Sequence, residues 1–358
     1  MNNSRQKIYF FTRVLGYTPE ETKDLLIACP QLVTPSVKQN LLPKFYYLWQ
    51  NALLETETLR TAIKKNPKML LHSLNKNLKP KLEYFRDKLG VEPEAMNKLM
   101  SAYPMIFNYK LEKTLIPLTD YFVNDLGFSI TEFRKIILKF PRLATYSFPC
   151  KIRHVVGMFK YEIELDACKI KRVLYQAPQV MGFTDTCLRE KIDYLRIEVL
   201  GGGDGTNYST TDKQMLIKLV SGMPTLLLCS IENNLAPKVA YLRATFDHDE
   251  EIFREAIVIA PTLLGYSLEK RITPRVESLK RIGEDVRRIT VGIGFTDEKF
   301  EQWIESLGSN KRKTFSRRRK QKIMVTMDRD EEVEEEGRGG RIVTWTRPRK
   351  IQDPKINP

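Results

Sequence analysis

A proline recurs along the chain at a nearly constant interval, and it starts the same short pattern each time. Successive prolines are 37 residues apart, except that 46 residues separate the fifth from the sixth. The second residue after each proline is apolar. Self-similarity at a fixed period of this size is typical of solenoid proteins, whose repeats contact only their neighbours. The seven prolines are Pro30, Pro67, Pro104, Pro141, Pro178, Pro224 and Pro261.

Residues 54–90 illustrate what a single repeat predicts. Leu59 and Ile63 are four residues apart, as on one face of a helix. Pro67 ends this first helix because the residue before a proline avoids helical backbone angles. A second proline follows 13 residues after the first in five repeats, and it suits the first position of a second helix. The sequence therefore predicts an all-α fold, an α-solenoid (superhelical array) of about seven 37-residue helix–turn–helix repeats.

The ends of the pattern and its long interval define the domain organisation. Residues 1–16 match the end of a repeat, which predicts the second helix of an incomplete N-terminal repeat. The repeat array spans 17–307, and a Gly/Ser/Thr-rich insertion occupies 200–211. Residues 308–358 contain basic and acidic blocks with few apolar residues, which predicts a disordered charged tail. Because the chain starts inside a repeat, we expect a truncated N-terminus or an incomplete gene model.

Charge and cysteine content narrow the classes of function. The net charge is +15, of which residues 308–358 supply +7 and residues 1–307 supply +8. A basic solenoid suits a polyanion, because neutralised phosphates release their counterions. The five cysteines show no zinc-binding spacing, and they are typical of small buried side chains in a reducing compartment. Without a run of 18 apolar residues or a secretory signal, we expect no membrane span. Without a metal-binding spacing or a nucleotide motif, we expect no metal and no cofactor.

Basic residues recur directly after the position of the second proline, which Glu190 occupies in repeat five. If that proline starts the helix, each cation lies in the first turn, where the helix dipole disfavours positive charge. A repeated unfavourable placement indicates use, and a helix N-terminus beside a cation suits a phosphate. The alternative is that each side chain covers apolar surface and keeps its charge in water. The five cations are Lys44, Lys81, Lys191, Lys238 and Arg275.

Cations on the inter-helix turns complete the candidate nucleic-acid-binding set. These are Lys151, Arg153 and Arg271. Aromatic residues of the second helices, such as Phe85 and Phe122, are interpreted as core, with base stacking as the alternative. The three histidines are isolated from carboxylate or cysteine motifs, and no nucleotide-binding or protease motif is present. We therefore expect no catalytic residue and no enzymatic activity.

The repeated pattern resembles that of the mitochondrial transcription termination factor family. Two copies show it most clearly, PTLLLCSIENNLAPKVAYL at 224–242 and PTLLGYSLEKRITPRVESL at 261–279. The resemblance covers residues 7–307 and implies paired helices with short 3₁₀ turns and a basic groove for double-stranded nucleic acid. It also implies a nuclear-encoded protein of mitochondria or chloroplasts. Repeats four and five lack the second proline, and the resemblance assigns no contact residue.

Three functions are compatible with these observations. The first is a monomeric protein that binds double-stranded DNA, in preference to RNA, and regulates organellar transcription or its termination. The second is an RNA-binding factor in organellar intron splicing or ribosome assembly. The third is a protein-interaction scaffold, since solenoids present extended concave binding surfaces. A positive groove favours nucleic acid, whereas an apolar or mixed groove favours protein. Localisation to a mitochondrion or chloroplast follows from the resemblance alone, since no transit peptide is visible in the sequence.

Overall fold

The computed structural model describes residues 3–145, 150–201 and 210–309. Every regular element in these three ranges is a helix, and they contain no strand. This confirms the all-α fold class. Most of the insertion (202–209) and the charged tail from residue 310 onward lie outside the described residues, together with the expectations that the sequence raised for them.

Each repeat starts with a first helix of about three turns. In repeat one a capping box fixes its start: Thr18 accepts a bond from the backbone of Glu21, whose carboxylate accepts one from the backbone of Thr18. The first proline fixes its end, since the preceding residue leaves the helical backbone angles, as Asn66 does with φ −139° and ψ 73°. The predicted break at the first proline is confirmed. The first helices are Pro19–Ala28, Thr56–Lys65, Pro93–Ala102, Ile130–Lys139, Ala167–Gln176, Thr210–Gly222 and Glu250–Ile259.

A short 3₁₀ turn follows and begins at the first proline itself. Proline suits this position because its missing N–H has no partner to lose there. Two residues later, the apolar side chain is completely buried in all seven repeats, which confirms that this position belongs to the core. The turns are Pro30–Val33, Pro67–Leu71, Pro104–Asn108, Pro141–Thr145, Pro178–Gly182, Pro224–Leu228 and Pro261–Leu264.

The second helix does not begin at the second proline, contrary to the sequence prediction. A serine caps it seven residues earlier in four repeats; Ser36 accepts a hydrogen bond from the backbone N–H of Gln39. The proline then lies inside the helix, behind a π turn such as Val37–Leu41. The wider π ladder avoids the clash between a proline ring and the carbonyl four residues back. The second helices span 37–51, 74–88, 111–125, Cys150–Tyr161, 185–199, 231–245 and 268–281.

The backbone beyond each second helix turns through a left-handed conformation. Gly90 takes φ +63° there, as predicted for a helix-capping glycine. Repeat one places Leu53 at the equivalent position with φ +52°. Glycine adopts this conformation without strain, whereas a leucine side chain crowds its own backbone.

Successive repeats stack through equivalent elements, which makes the array an α-solenoid. The 3₁₀ turns pack one on the next from repeat one to repeat six. First helices pack side by side, as Thr56–Lys65 does on Pro93–Ala102. Residues 3–14 form a helix that packs against the start of the second helix of repeat one.

The chain forms two compact units, Met1–Gly294 and Phe295–Pro358. In the first unit, two short helices follow repeat seven at Val286–Arg288 and Ile289–Gly292. In the second unit, residues 297–309 form a helix, and the ring of Trp303 packs against two phenylalanines of the same unit.

Candidate nucleic-acid interface

The five cations that follow the position of the second proline are buried. Their relative exposure is between 2% and 8%. Lys44 is the eighth residue of helix 37–51 rather than a first-turn residue, so the helix dipole has no part in its placement. This burial does not fit the phosphate site expected from the sequence, and we assign these residues a structural role instead. We call Lys44, Lys81, Lys191, Lys238 and Arg275 the buried cation column.

Each member of the buried cation column bonds a backbone carbonyl group farther along the stack. Nζ of Lys44 lies 2.5 Å from the carbonyl oxygen of Leu70, and Nζ of Lys238 lies 2.8 Å from that of Leu264. Both acceptors lie in the 3₁₀ turn of the next repeat, where the helix end leaves carbonyl groups without a partner. The column therefore joins successive repeats through residues that are 26 positions apart in the chain in these two cases. The other bonds are Lys81 to Phe107, Lys191 to Cys229, and Arg275 to Gly292 and Ile293.

An asparagine one helical turn earlier completes three of these sites. Nζ of Lys238 lies 2.7 Å from Oδ1 of Asn234, and the same pair forms between Lys81 and Asn77. Lys44 pairs with its own asparagine in the same way. The segments NLLPK, NLKPK and NLAPK at 40–44, 77–81 and 234–238 encode this arrangement. The recurring asparagine was the sequence signal for a buried lysine, since it supplies the second acceptor that burial of an ammonium group requires.

Burial changes the proton affinity of these lysines. It lowers the pKa of Lys81 from 10.5 to about 8 and lowers the pKa of Lys44 and of Lys238. The cause is desolvation, which disfavours the charged form. Two bonds to each ammonium group offset part of this cost.

Two repeats lack a cation in the column. Repeat three has Leu118 there and repeat four has Val155, and both side chains are buried. In repeat four, Lys151 lies one turn earlier, and its Nζ is 3.0 Å from the carbonyl oxygen of Gly182. Lys151 thus takes over the inter-repeat bond from the position that holds asparagine elsewhere. We assign it the same structural role.

The last two candidates from the sequence lie closer to solvent. Arg153 is exposed, and its guanidinium lies 5.3 Å from the ring centroid of Tyr121. Arg271 is half-buried and lies 4.4 Å from the ring centroid of Tyr266. Stacking on an aromatic face orients a guanidinium. These two residues remain proposed contacts with nucleic acid.

A second set of inter-repeat bonds starts from the residue seven positions before the first proline. Lys171 places Nζ 2.9 Å from the carbonyl oxygen of Gly127, and Arg134 donates to that of Gly90. Each acceptor lies after the second helix of the repeat two positions earlier in the stack. Basic side chains at this position therefore hold the array together. Asn97 bonded to Leu53 and Arg254 bonded to Leu200 follow the same pattern, whereas Arg60 at this position pairs with Glu21 in the first helix of repeat one.

Charge on the first helices and 3₁₀ turns is distributed unevenly along the stack. In repeats two to six these segments carry fourteen Lys/Arg and four Asp/Glu, a net charge of +10. In repeats one and seven they carry one basic and three acidic residues each, a net charge of −2. Exposed cations such as Lys68, Lys98 and Arg142 belong to the basic part. A count of charge by element contains this signal, which a search after the second proline misses.

One of the histidines pairs with a carboxylate. Nε2 of His154 lies 2.7 Å from a carboxylate oxygen of Asp185, and both side chains are about half exposed. The described residues hold no group of three or more His, Cys, Asp or Glu side chains suited to a metal ion. Within the same ranges, no helix combines the length and apolar character needed to cross a membrane.

Comparison with protein families matches the chain to mTERF over residues 1–163 and 122–301. The two matches together include every proline-delimited repeat and most of the 358 residues. Comparison with curated proteins gave no match. The family match confirms the resemblance that the repeated proline pattern indicated. The chain belongs to the mTERF family of helical-repeat proteins.

Proposed function

We propose that this protein binds double-stranded DNA and regulates organellar transcription, including termination. The observation that carries the proposal is the net charge of +10 on the first helices and 3₁₀ turns of repeats two to six. Membership in a family of nucleic-acid-binding factors supports it. A protein held across a duplex obstructs a polymerase without any chemical step, so the function requires no catalytic residue.

Burial of the aromatic residues at one recurring position of the second helices favours binding through the backbone of a duplex. Phe85, Phe122 and Phe159 of the second helices are completely buried, so they serve the core. Proteins that hold single strands stack exposed aromatic rings on the bases. A surface of exposed cations instead suits the regular phosphates of a duplex.

The cellular setting of the proposal follows from the family. We propose that the protein acts as a monomer in mitochondria or chloroplasts. An RNA-binding role in intron splicing or ribosome assembly is the competing function, because duplex RNA presents phosphates as well. A protein scaffold is the third possibility, and it requires no affinity for nucleic acid.

Binding assays with matched nucleic acids test the proposal. Fluorescence anisotropy of the full chain is measured with duplex DNA of about 30 base pairs, duplex RNA of the same sequence, and each single strand, between about 50 and 200 mM salt. We expect the tightest binding to duplex DNA, with a steep loss of affinity as salt rises. Tighter binding to RNA would support the splicing or ribosome-assembly function instead. No affinity for any duplex at low salt would contradict the proposal and favour the scaffold. Sequencing of the fragments retained from organellar DNA then identifies the target.

A further inference from the structure

Four consecutive repeats carry a cation at one position of the first helix, six residues before the first proline. All four side chains are exposed. Among the described residues, none of the four side chains has a hydrogen-bond or ion-pair partner. We call this set the exposed row, and it consists of Lys98, Lys135, Arg172 and Lys218.

The fold explains the neighbouring cations but not the exposed row. One residue earlier, Arg134 and Lys171 bond carbonyl groups of other repeats, so packing accounts for a basic side chain at that position. Lys135 and Arg172 follow them directly and make no such bond. Recurrence in four successive repeats therefore calls for a partner outside the chain.

Equivalent positions place the exposed row in order along the stack. The 3₁₀ turns that follow these four helices pack consecutively on one another. Packed helices are about 8–10 Å apart, so the three steps of the row extend over about 24–30 Å. One strand of B-DNA carries a phosphate for about every 3.4 Å of axis, so this length corresponds to about seven to nine base pairs.

The charges of the row repel one another in the free protein. At the spacing of packed helices this repulsion is weak in water, and physiological salt screens much of it. The repulsion is small enough for the fold to tolerate. When a polyanion binds along the row, attraction between its phosphates and the cations replaces this repulsion, and the phosphates release their counterions.

An acidic residue takes this position beyond each end of the row, directly next to it in repeat seven and two repeats away in repeat one. The same position holds Asp24 in repeat one and Glu255 in repeat seven, and both are exposed. Repeat two holds the uncharged Thr61. Acidic groups repel phosphate, so a linear polyanion is confined to repeats three to six at this level of the stack.

We infer that the exposed row binds the phosphate backbone of the nucleic-acid duplex, and that Asp24 and Glu255 set the limits of the bound segment. The inference rests on the proposed function, since it names the residues that perform it. The row positions the protein on the duplex and carries no base specificity, because phosphates are the same at every base pair.

A row variant and a matched control separate binding by the exposed row from a general effect of positive charge. The row variant carries Lys98→Gln, Lys135→Gln, Arg172→Gln and Lys218→Gln. The control removes four exposed lysines from the first turns of second helices, and it carries Lys38→Gln, Lys76→Gln, Lys113→Gln and Lys270→Gln. Both variants have four fewer positive charges, so net charge alone affects them equally. Affinity for a labelled DNA duplex of about 30 base pairs is measured by anisotropy against salt.

We expect the row variant to flatten the slope of log affinity against log salt by about 0.9 for each phosphate that is no longer neutralised. Its affinity should fall at least about 100-fold near 0.15 M salt, whereas the control should change much less. An equal decrease in affinity in the two variants would overturn the inference about the exposed row, but it would not contradict the proposed duplex-binding function. If the unmodified chain does not bind a duplex, both the inference and the proposed function are overturned.

A gain of function tests the limit at repeat seven. Glu255→Lys extends the row by one cation at an exposed position, where folding should be unaffected. We expect tighter binding to the same duplex and a slope steeper by about 0.9. An affinity that does not increase would show that the row does not follow the duplex toward repeat seven, and would contradict the inferred limit.

Discussion

The ammonium group of Lys238 in repeat six lies 2.8 Å from the carbonyl oxygen of Leu264 in repeat seven. The acceptor ends a 3₁₀ turn, and the donor comes from the middle of a helix. Equivalent bonds recur at four other interfaces along the stack. The fold therefore uses part of its positive charge internally, and only the remainder is available to a ligand.

Removal of one such bond should weaken the fold. We expect Lys81→Met to lower the free energy of unfolding by about 1–3 kcal/mol, because the carbonyl of Phe107 is left buried without its donor. Methionine keeps much of the aliphatic volume, so the effect reports mainly on the bond. Urea denaturation monitored by circular dichroism measures the change. Lys76→Met, at an exposed position of the same helix, should stay within about 0.5 kcal/mol of the unmodified protein; a comparable decrease there would contradict the interpretation.

Stability should respond to alkaline pH through the same lysine. Burial lowers the pKa of Lys81 to about 8, against 10.5 for an unburied lysine. Between these values the unfolded chain binds more protons than the folded one, so the contribution of this residue to stability rises with pH. We expect the stability difference between the unmodified protein and Lys81→Met to increase from pH 8 to about 10.5. A difference that stays constant across this range would show that the lysine is not desolvated.

Proline and apolar spacing predicted the repeats because they act locally. The break at Pro67 depends on one backbone restriction, and burial of Met69 depends on apolar character alone. The start of the second helix was mispredicted because Ser73 and a π turn outweigh the preference of Pro80 for a helix start. A π turn leaves no composition signal that distinguishes it from an α-helical turn.

The role of the basic residues depends on contacts between repeats, which a single repeat does not contain. Lys81 bonds a carbonyl group 26 residues away, and Lys171 bonds one 44 residues away. Lys135 has the same charge and a similar neighbourhood in sequence but remains exposed. Burial separates structural cations from accessible ones, and it follows only from the stacked fold.

An ion pair between repeats should matter at acidic pH. Glu21 accepts a bond from the backbone of Thr18 and bonds to Lys64 and Arg60, at 3.0 and 2.9 Å, which lowers its pKa from 4.5 to about 2. This carboxylate stabilises the folded state above pH 4.5, and the contribution disappears as pH falls toward 2. We expect the stability difference between the unmodified protein and Glu21→Gln to shrink over that range, as measured by thermal unfolding. A pH-independent difference would contradict the assignment.

The left-handed backbone at Leu53 offers a stabilising change. Leu53→Gly should raise the free energy of unfolding by about 0.5–1 kcal/mol, since relief of strain exceeds the added entropy of the unfolded chain. Gly127→Ala is the matched control: φ is +70° and a methyl group there meets no atom within 4 Å. It should lower stability by about 1 kcal/mol through backbone strain alone. Urea denaturation measures both, and a destabilising Leu53→Gly would mean that the leucine side chain contributes more than its strain costs.

Two lysines of repeat six test most directly whether buried cations hold the fold while exposed cations bind the ligand. Lys238→Met and Lys218→Met remove the same charge from the same repeat, and unfolding free energy and duplex affinity against salt are measured on both variants. We expect Lys238→Met to lower stability by about 1–3 kcal/mol with an unchanged salt slope under folding conditions. We expect Lys218→Met to keep its stability within about 0.5 kcal/mol and to flatten the slope by about 0.9. The reverse pattern, with weaker binding in Lys238→Met and lower stability in Lys218→Met, would contradict the division of roles.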